Sequence, residues 1–376
     1  MITDWIILEN IIFGYDKNFN IGTFKFKKIF IFDLDSTLIK TKSGRVYPID
    51  KNDWEFLNPN ILQINDLIND NICGIVTNQG GLKTESLINN WIDKVKQINK
   101  KINFHFVFVS IKDDRFRKPL PASWDYIKTN FFQSVDIQHS LSDKKIYFIG
   151  DAFGRPSDHS DTDVKYAENC GFKFKTPEIF FKFNNHNNID GTITYPIINY
   201  YDSNSQSKLF ESIFKQIDLH ADKKIIIVMI GFPASGKSFL RKQIIKKYPD
   251  FKYTNNDDII DKINDTSFVK DKQLKNYNYC IEDNTNLNPK SRNNIIKEFN
   301  SYYKLALWFN LEMDTYKHLN YLRMYWFGSK VIGQVIYRTL NKSYVIPEIS
   351  EGFDNIIQIN KVFNDFNFDN KIKYYF

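Results

Sequence analysis

Asp33 and Asp35, separated by one leucine, follow the apolar run Ile29-Phe30-Ile31-Phe32 and precede Ser36-Thr37. Two carboxylates so placed can divide the work of phosphoryl transfer: one oxygen attacks phosphorus while the second carboxyl hands a proton to the departing oxygen. A magnesium ion beside the attacking carboxylate would offset its repulsion from an anionic phosphate. Much later in the chain, Gly231-Phe232-Pro233-Ala234-Ser235-Gly236-Lys237-Ser238 carries a second chemistry. Backbone amides of such a glycine-containing loop close on phosphates, Lys237 reaches the β and γ phosphates, and Ser238 offers an oxygen to magnesium.

Both groups need strands to hold them. The β-branched and aromatic run Ile29 to Phe32 lacks helical periodicity, which predicts a central parallel strand covered on both faces. Asp33 and Asp35 then stand at its carboxyl end, where open α/β sheets hold their ligands. Cys73-Gly74-Ile75-Val76 predicts a second strand ending at Thr77, and Phe104 to Ser110 a third, followed by Arg117-Lys118-Pro119. Ile146 to Ile149 predicts a fourth, ending in Gly150-Asp151. The spacing of Ile61, Ile64, Leu67 and Ile68 is helical, and residues 1–28 read as one or two short strands joined by turns. Asp158 and Asp161 are expected as solvated loop residues. Ile225 to Ile230 is the buried strand that the glycine-containing loop requires. Polar, turn-forming clusters between residues 184 and 222, among them Ser203-Asn204-Ser205-Gln206-Ser207, read as a connection, with helical spacing resuming from Leu209 to Ile217. They divide the chain into expected domains of residues 1–200 and 201–376.

With 376 residues, 42% of them hydrophobic and 16% aromatic, the chain can build two cores, and its composition excludes general disorder. A net charge of +7 favours non-specific attraction to polyanions, nucleic acid among them. Cys73, Cys170 and Cys280 form neither a paired-cysteine metal motif nor a disulfide framework, so an intracellular compartment, nucleus or cytoplasm, is expected. No apolar run approaches the ~20 residues that span a bilayer, and the amino terminus does not read as a leader, so no membrane partner is expected.

The four strand ends, taken in order, resemble the motifs of haloacid-dehalogenase-type phosphatases. The resemblance implies that Asp33 is the nucleophile, Asp35 the acid/base, Thr77 the hydroxyl that binds the transferring phosphoryl group, and Lys118 the charge that neutralises its oxygens. It also implies that Asp33, Asp151 and a backbone carbonyl near Asp35 hold Mg2+, with Asp163 the second acid of the last motif. Further words narrow the likeness: Asp33 to Ile39 running into Lys42-Ser43-Gly44, Thr77-Asn78-Gln79, Arg117-Lys118-Pro119, Gly150-Asp151-Ala152-Phe153-Gly154-Arg155-Pro156 and Thr176-Pro177-Glu178-Ile179-Phe180-Phe181. Together they resemble the DNA 3'-phosphatase domain over residues 1–183, except that Ser36 stands where that family usually has glycine.

The second half resembles the P-loop 5'-kinases of polynucleotides. Gly231, Gly236, Lys237 and Ser238 would then bind the nucleotide and its magnesium. Asp257 would accept the proton of the attacking 5'-hydroxyl, Asp258 being its neighbouring competitor, and Arg323, on a lid helix, would stabilise transition-state charge. Asp283 would orient magnesium or its waters, Thr285 and Asn286 would touch a ligand or merely form a turn, and Arg292 has no assigned role. A phosphatase followed by a kinase is the order of the polynucleotide kinase 3'-phosphatases. That resemblance implies an α/β chain of two domains, a haloacid-dehalogenase-like Rossmannoid phosphatase and a P-loop NTPase-type kinase, each with a mainly parallel sheet. It implies ATP and Mg2+ as cofactors, DNA termini at nicks, gaps or single-stranded ends as substrates with RNA left open, and a ligase acting afterwards. Two other readings stand beside it: a bifunctional phosphatase/kinase of small metabolites, and a nucleic-acid-binding adaptor with decayed sites. The charge and the family-specific words weigh against the first, and the complete set of acids against the second.

Overall fold

The structure is a computed structural model that describes residues 2–132, 145–183, 198–256 and 265–366. The chain forms two compact units, one built on Met1–Tyr195 and one on Pro196–Arg323 with Ser329–Phe368.

In the first unit the strands are β1 (Asp4–Ile7), β2 (Ile11–Tyr15), β3 (Lys28–Phe32), β4 (Ile39–Lys40), β5 (Glu55–Phe56), β6 (Asn71–Asn78), β7 (Phe106–Ser110), β8 (Lys145–Ile149) and β9 (Lys173–Lys175). Seven of them make one sheet in the order β1-β2-β7-β6-β3-β8-β9, and β4 and β5 form a separate ribbon. From β7 to β9 every pair is parallel, while the β1-β2 hairpin extends the sheet antiparallel along β7. Central β3 lies between β6 and β8, so its apolar residues divide between two buried faces. Phe30 and Phe32 join Ile75 and α2 (Glu85–Asn99), while Ile29 and Ile31 join Phe106 and the helix α3 (Ala122–Asn130). That two-sided burial is why the run reads as continuous rather than alternating. The stretch of helical spacing near residue 64 is a 3-10 turn, Pro59–Gln63, running into the single turn α1 (Ile64–Leu67). Helices α4 (Thr162–Cys170) and α5 (Pro177–Phe181) complete the unit.

The second unit is opened by α6 (Ser203–Leu219), which takes in the polar cluster expected to be a connection. Asp202 explains the difference: its carboxylate accepts the Ser205 N–H at 2.9 Å and starts the helix among residues whose side chains stay in water. Strands β10 (Ile225–Ile230), β11 (Lys252–Thr254), β12 (Tyr279–Glu282), β13 (Tyr303–Phe309) and β14 (Asn355–Ile359) form a wholly parallel sheet in the order β11-β12-β10-β13-β14. Helices α7 (Lys237–Lys247), α8 (Pro289–Glu298), α9 (Met313–Phe327) and α10 (Gln334–Ser343) complete it. Both units are therefore α/β with mainly parallel sheets. Among the described residues no helix is long and apolar enough to cross a membrane.

His105, immediately before β7, is 6% exposed, and its Nδ1 accepts the Cys73 N–H at 3.1 Å while its ring packs 4.4 Å from that of Phe19. Burial holds the imidazole neutral and pushes its pKa down to about 4. The unfolded chain takes up this proton below about pH 6.5, so the stabilisation is complete above that value and is lost as pH falls toward 4. Urea unfolding of the first unit should show up to about 3 kcal/mol of pH dependence in this window, and His105→Gln should flatten it.

Candidate active sites

At the carboxyl edge of the first sheet, Asp33 is the residue immediately after β3, fixed by its N–H to Ile149 O at 2.8 Å. The chain then turns so tightly that Leu38 and Ile39 both donate to Leu34 O, and Ser36 takes φ 60°, the left-handed region that favours glycine. The departure from the family's glycine thus falls on a residue whose conformation makes glycine the easier choice. The turn puts Thr37 under Asp151, whose N–H donates to the Thr37 hydroxyl and whose carboxylate accepts from it, both at 3.0 Å.

Lys118 is the centre of the site. Its Nζ donates to Asp33 Oδ1 and to Asp163 Oδ1, both at 2.7 Å, and all three residues are buried. The loop bearing Lys118 is clamped by Asn78, which accepts the Lys118 N–H at 3.0 Å and donates to the Lys118 carbonyl at 3.1 Å. Asp33, Asp151 and Asp163 can each offer an oxygen within 4.8 Å of the others. Burial pushes Asp33 up to about 8 against the pull of Lys118, with repulsion from Asp163 and Asp151 adding to the rise. Asp151 is raised to about 6 by burial and then by Asp163. Burial disfavours the Lys118 ammonium, yet Asp163 and Asp33 hold its proton above the ordinary lysine range. Three converging carboxylates thus face one ammonium, an all-oxygen, negatively charged donor set that fits a hard divalent cation. The carboxylate of Asp35 lies outside the trio, about half exposed, and accepts from Gln79 Nε2 at 2.6 Å. Thr77 is buried near the end of β6 and accepts from the same Gln79 amide at 3.2 Å.

Asp158 and Asp161 are not the solvated loop residues expected. Asp158 receives the Arg155 Nε at 2.9 Å together with the Phe153 and Arg155 N–H groups, and Arg155 in turn donates to Asp151 O at 3.1 Å and pairs with Glu178 at 3.4 Å. Asp161 pairs with Lys165 at 2.7 Å. Asp158 fixes the shape of the Asp151 loop, a role that depends on contacts to its backbone that spacing does not reveal.

In the second unit, Gly231 follows β10 directly and donates to Thr285 O at 2.9 Å, with Phe309 packed so close that a Cβ there would lie 2.7 Å from its Cβ. The loop turns through Ala234 at φ 63° and Gly236 at φ 96° into α7. Lys237 Nζ is buried against the loop's own Gly231 and Phe232 carbonyls, at 3.0 and 2.7 Å. Ser238 Oγ donates to Asp283 Oδ2 at 3.1 Å, a hydroxyl and carboxylate that suit magnesium. Arg241, missed in the sequence, reaches the same Asp283 oxygen at 3.3 Å while stacking 3.6 Å from the Tyr253 ring centroid. Its sequence signal is only its position one helical turn beyond Lys237.

Arg323 lies on α9, where its Nη2 donates to Lys330 O at 3.4 Å and its buried Nε has no hydrogen-bond partner among the described residues. Its charge is felt by Tyr337, whose hydroxyl donates to Pro233 O of the phosphate loop at 3.1 Å. Phe232 packs with Tyr316, Tyr337 and Tyr344, joining that loop to α9, α10 and the residue after α10. Asp257 and its competitor Asp258 lie outside the described residues; Asn256, just before them, is tied by its N–H to Asn284 Oδ1 at 2.9 Å. Thr285 supports Gly231 as above, and Asn286, at φ 46°, donates to Met229 O at 3.0 Å. Arg292, 0% exposed, makes two 2.7 Å bonds to Glu351 and donates to the carbonyls of Asn286, Leu287 and Val345. It ties the loop after β12 to Glu351 and to the Val345 carbonyl.

Residues 28–181 match the family described as polynucleotide kinase 3 phosphatase. Over 344 residues the chain is 31% identical to the bifunctional polynucleotide phosphatase/kinase of Schizosaccharomyces pombe, covering 89% of this chain and 80% of that one. A protein named putative bifunctional polynucleotide phosphatase/kinase from Acanthamoeba polyphaga mimivirus is 31% identical over 361 residues, 86% of this chain and 82% of its own. The polynucleotide 3'-phosphatase of Saccharomyces cerevisiae is 28% identical over 206 residues, 41% of this chain and 87% of that one.

Gly150 permits the approach of Asp163, since a Cβ at this position would lie 2.2 Å from Asp163 Oδ2. Gly150→Ala should push that carboxylate off Lys118 and reduce phosphatase turnover by about 10²-fold. Assay of phosphate release beside kinase activity on the same preparation checks this, with kinase activity expected unchanged.

Proposed function

The chain belongs to the bifunctional polynucleotide phosphatase/kinase family, and on that premise we propose a nucleic-acid end-repair enzyme that removes terminal 3'-phosphates and phosphorylates 5'-hydroxyl ends with ATP. The observation that carries the reading is the assembly of both sites in one chain: Lys118 2.7 Å from Asp33 and Asp163, and Ser238 3.1 Å from Asp283.

In the phosphatase, Asp33 attacks the 3'-phosphoryl group, the P–O3' bond breaks, and Asp35 gives its proton to the departing oxygen. Water then attacks the aspartyl-phosphate, Asp35 takes the proton, and phosphate leaves with Asp33 restored. Lys118 and Thr77 bind the phosphoryl oxygens through both steps. In the kinase, the 5'-hydroxyl loses its proton to Asp257 as its oxygen attacks the γ-phosphorus of ATP, the bond from that phosphorus to the β–γ bridging oxygen breaks, and ADP leaves. Lys237 and Arg323 neutralise the charge that spreads over the transferring group. Asp33 and Asp151, with Asp163 in the same oxygen cluster and a backbone carbonyl near Asp35, would hold magnesium in one site, and Ser238 and Asp283 would hold it in the other, where it would supply positive charge as anionic groups are brought together. The products are a 3'-hydroxyl and a 5'-phosphate, the ends that a ligase joins; DNA termini are the proposed substrates, with RNA termini distinguished by contacts at the 2' position.

On a labelled nicked duplex bearing 3'-phosphate and 5'-hydroxyl, Asp33→Asn should abolish phosphate removal and leave 5'-phosphorylation intact. Lys237→Ala should do the opposite, lowering kinase turnover by about 10²–10³-fold. A wild-type chain that turns over free nucleotides but leaves every oligonucleotide end untouched would overturn the proposal.

A further inference from the structure

Lys94 is a buried charge that neither reaction uses as described. Helix α2 turns Trp91, Ile92, Val95 and Ile98 into the core, and Lys94 goes in with them, 4% exposed. Its neighbours on the helix behave as surface residues: Asp93 pairs with Lys51 at 2.9 Å and with Lys96 at 3.6 Å. Lys94 Nζ instead lies 3.9 Å from Asp35 Oδ1, beyond hydrogen-bond reach, and makes no hydrogen bond among the described residues. An ammonium with three donors is expensive to bury without partners, so its placement beside one particular carboxylate needs a reason.

Asp35 is the reason the geometry offers. Gln79 Nε2 grips its Oδ2 at 2.6 Å, and the same amide reaches Thr77 Oγ1 at 3.2 Å, while Lys94 faces the other oxygen, Oδ1. The carboxylate is thus approached from both sides but firmly held from only one. We propose that Lys94 is a positioning residue for Asp35, an inference that rests on the phosphatase reading above. Its charge, 3.9 Å from Oδ1, biases the orientation of that carboxylate without a hydrogen bond and stabilises the negative charge that forms there. In the first half-reaction a bond forms from Asp33 oxygen to phosphorus, the P–O3' bond breaks, and the proton of Asp35 passes to O3', leaving Asp35 negative in a site that the nucleic acid now covers. Among the described residues Lys94 is the cation paired with that carboxylate, 3.9 Å from Oδ1, and its interaction strengthens as the charge appears.

An alkoxide leaving group needs this proton, whereas a nitrophenolate does not. Single-turnover release of the leaving group should therefore be compared for a 3'-phosphorylated oligonucleotide and for p-nitrophenyl phosphate on one preparation, so that any loss of folded protein cancels in the ratio. Lys94→Met should slow the oligonucleotide reaction about tenfold or more and the aryl phosphate reaction by less than about threefold, the pattern expected of Asp35→Asn, and Lys94→Arg should recover most of the rate. Equal losses on both substrates would overturn the inference, as would a rise in KM for the oligonucleotide with kcat unchanged, which would make Lys94 a backbone-phosphate contact. A wild-type chain inert on the 3'-phosphorylated oligonucleotide would sink the phosphatase reading itself.

Discussion

One ammonium shared by two buried carboxylates organises the first unit. Lys118 sits 2.7 Å from both Asp33 and Asp163, in a setting where an unpaired charge would be costly. The surrounding structure is arranged around the triad: Asn78 clamps the Lys118 backbone, Thr37 ties the β3 turn to Asp151, and the missing Cβ of Gly150 leaves room for Asp163. Strands β3, β6 and β8 run parallel side by side, so their ends converge on one edge of the sheet. Removing either acid would leave the other to face Lys118 alone and change the charge of a site whose chemistry is the handling of anions.

The second unit solves a similar problem with backbone instead of side chains. Its loop gathers amides by turning through Ala234 and Gly236 in left-handed conformations, and Gly231 is packed too tightly against Phe309 for any side chain. Charge is again balanced by pairing, Arg241 meeting Asp283, which also accepts from the Ser238 hydroxyl. The fully buried Arg292 secures the loop after β12 through Glu351 and three carbonyls, that of Asn286 among them, while Asp283 and Thr285 meet the phosphate loop at Ser238 and Gly231.

Much of this was legible in the residues. Asp33, Thr77 and Asp151 follow or end apolar runs, and a buried parallel strand is the local pattern that single-sequence reading detects best, because both of its faces are apolar. The phosphate loop is legible because its spacing is dictated by the size of a phosphate rather than by the rest of the fold. The roles of Asp158, Arg155 and Arg292 were not, since each acts on backbone groups brought near by loops whose course no periodicity records. Ser203 to Ser207 reads as a connection for the same reason: its helix depends on a single cap at Asp202 and on packing of the apolar residues that follow.

By itself, then, the sequence determined the order of the strands' chemical ends, the two phosphate-handling centres and the α/β class, all of which are local properties of short segments. Tertiary structure alone decided that Asp163 shares Lys118 with Asp33, that Arg241 meets Asp283, and that Lys94 turns inward toward Asp35. These pairs join residues far apart in the chain or on different elements. Their contact follows from strand order, loop course and the direction in which a helix buries its face, and those are settled only when the whole core packs.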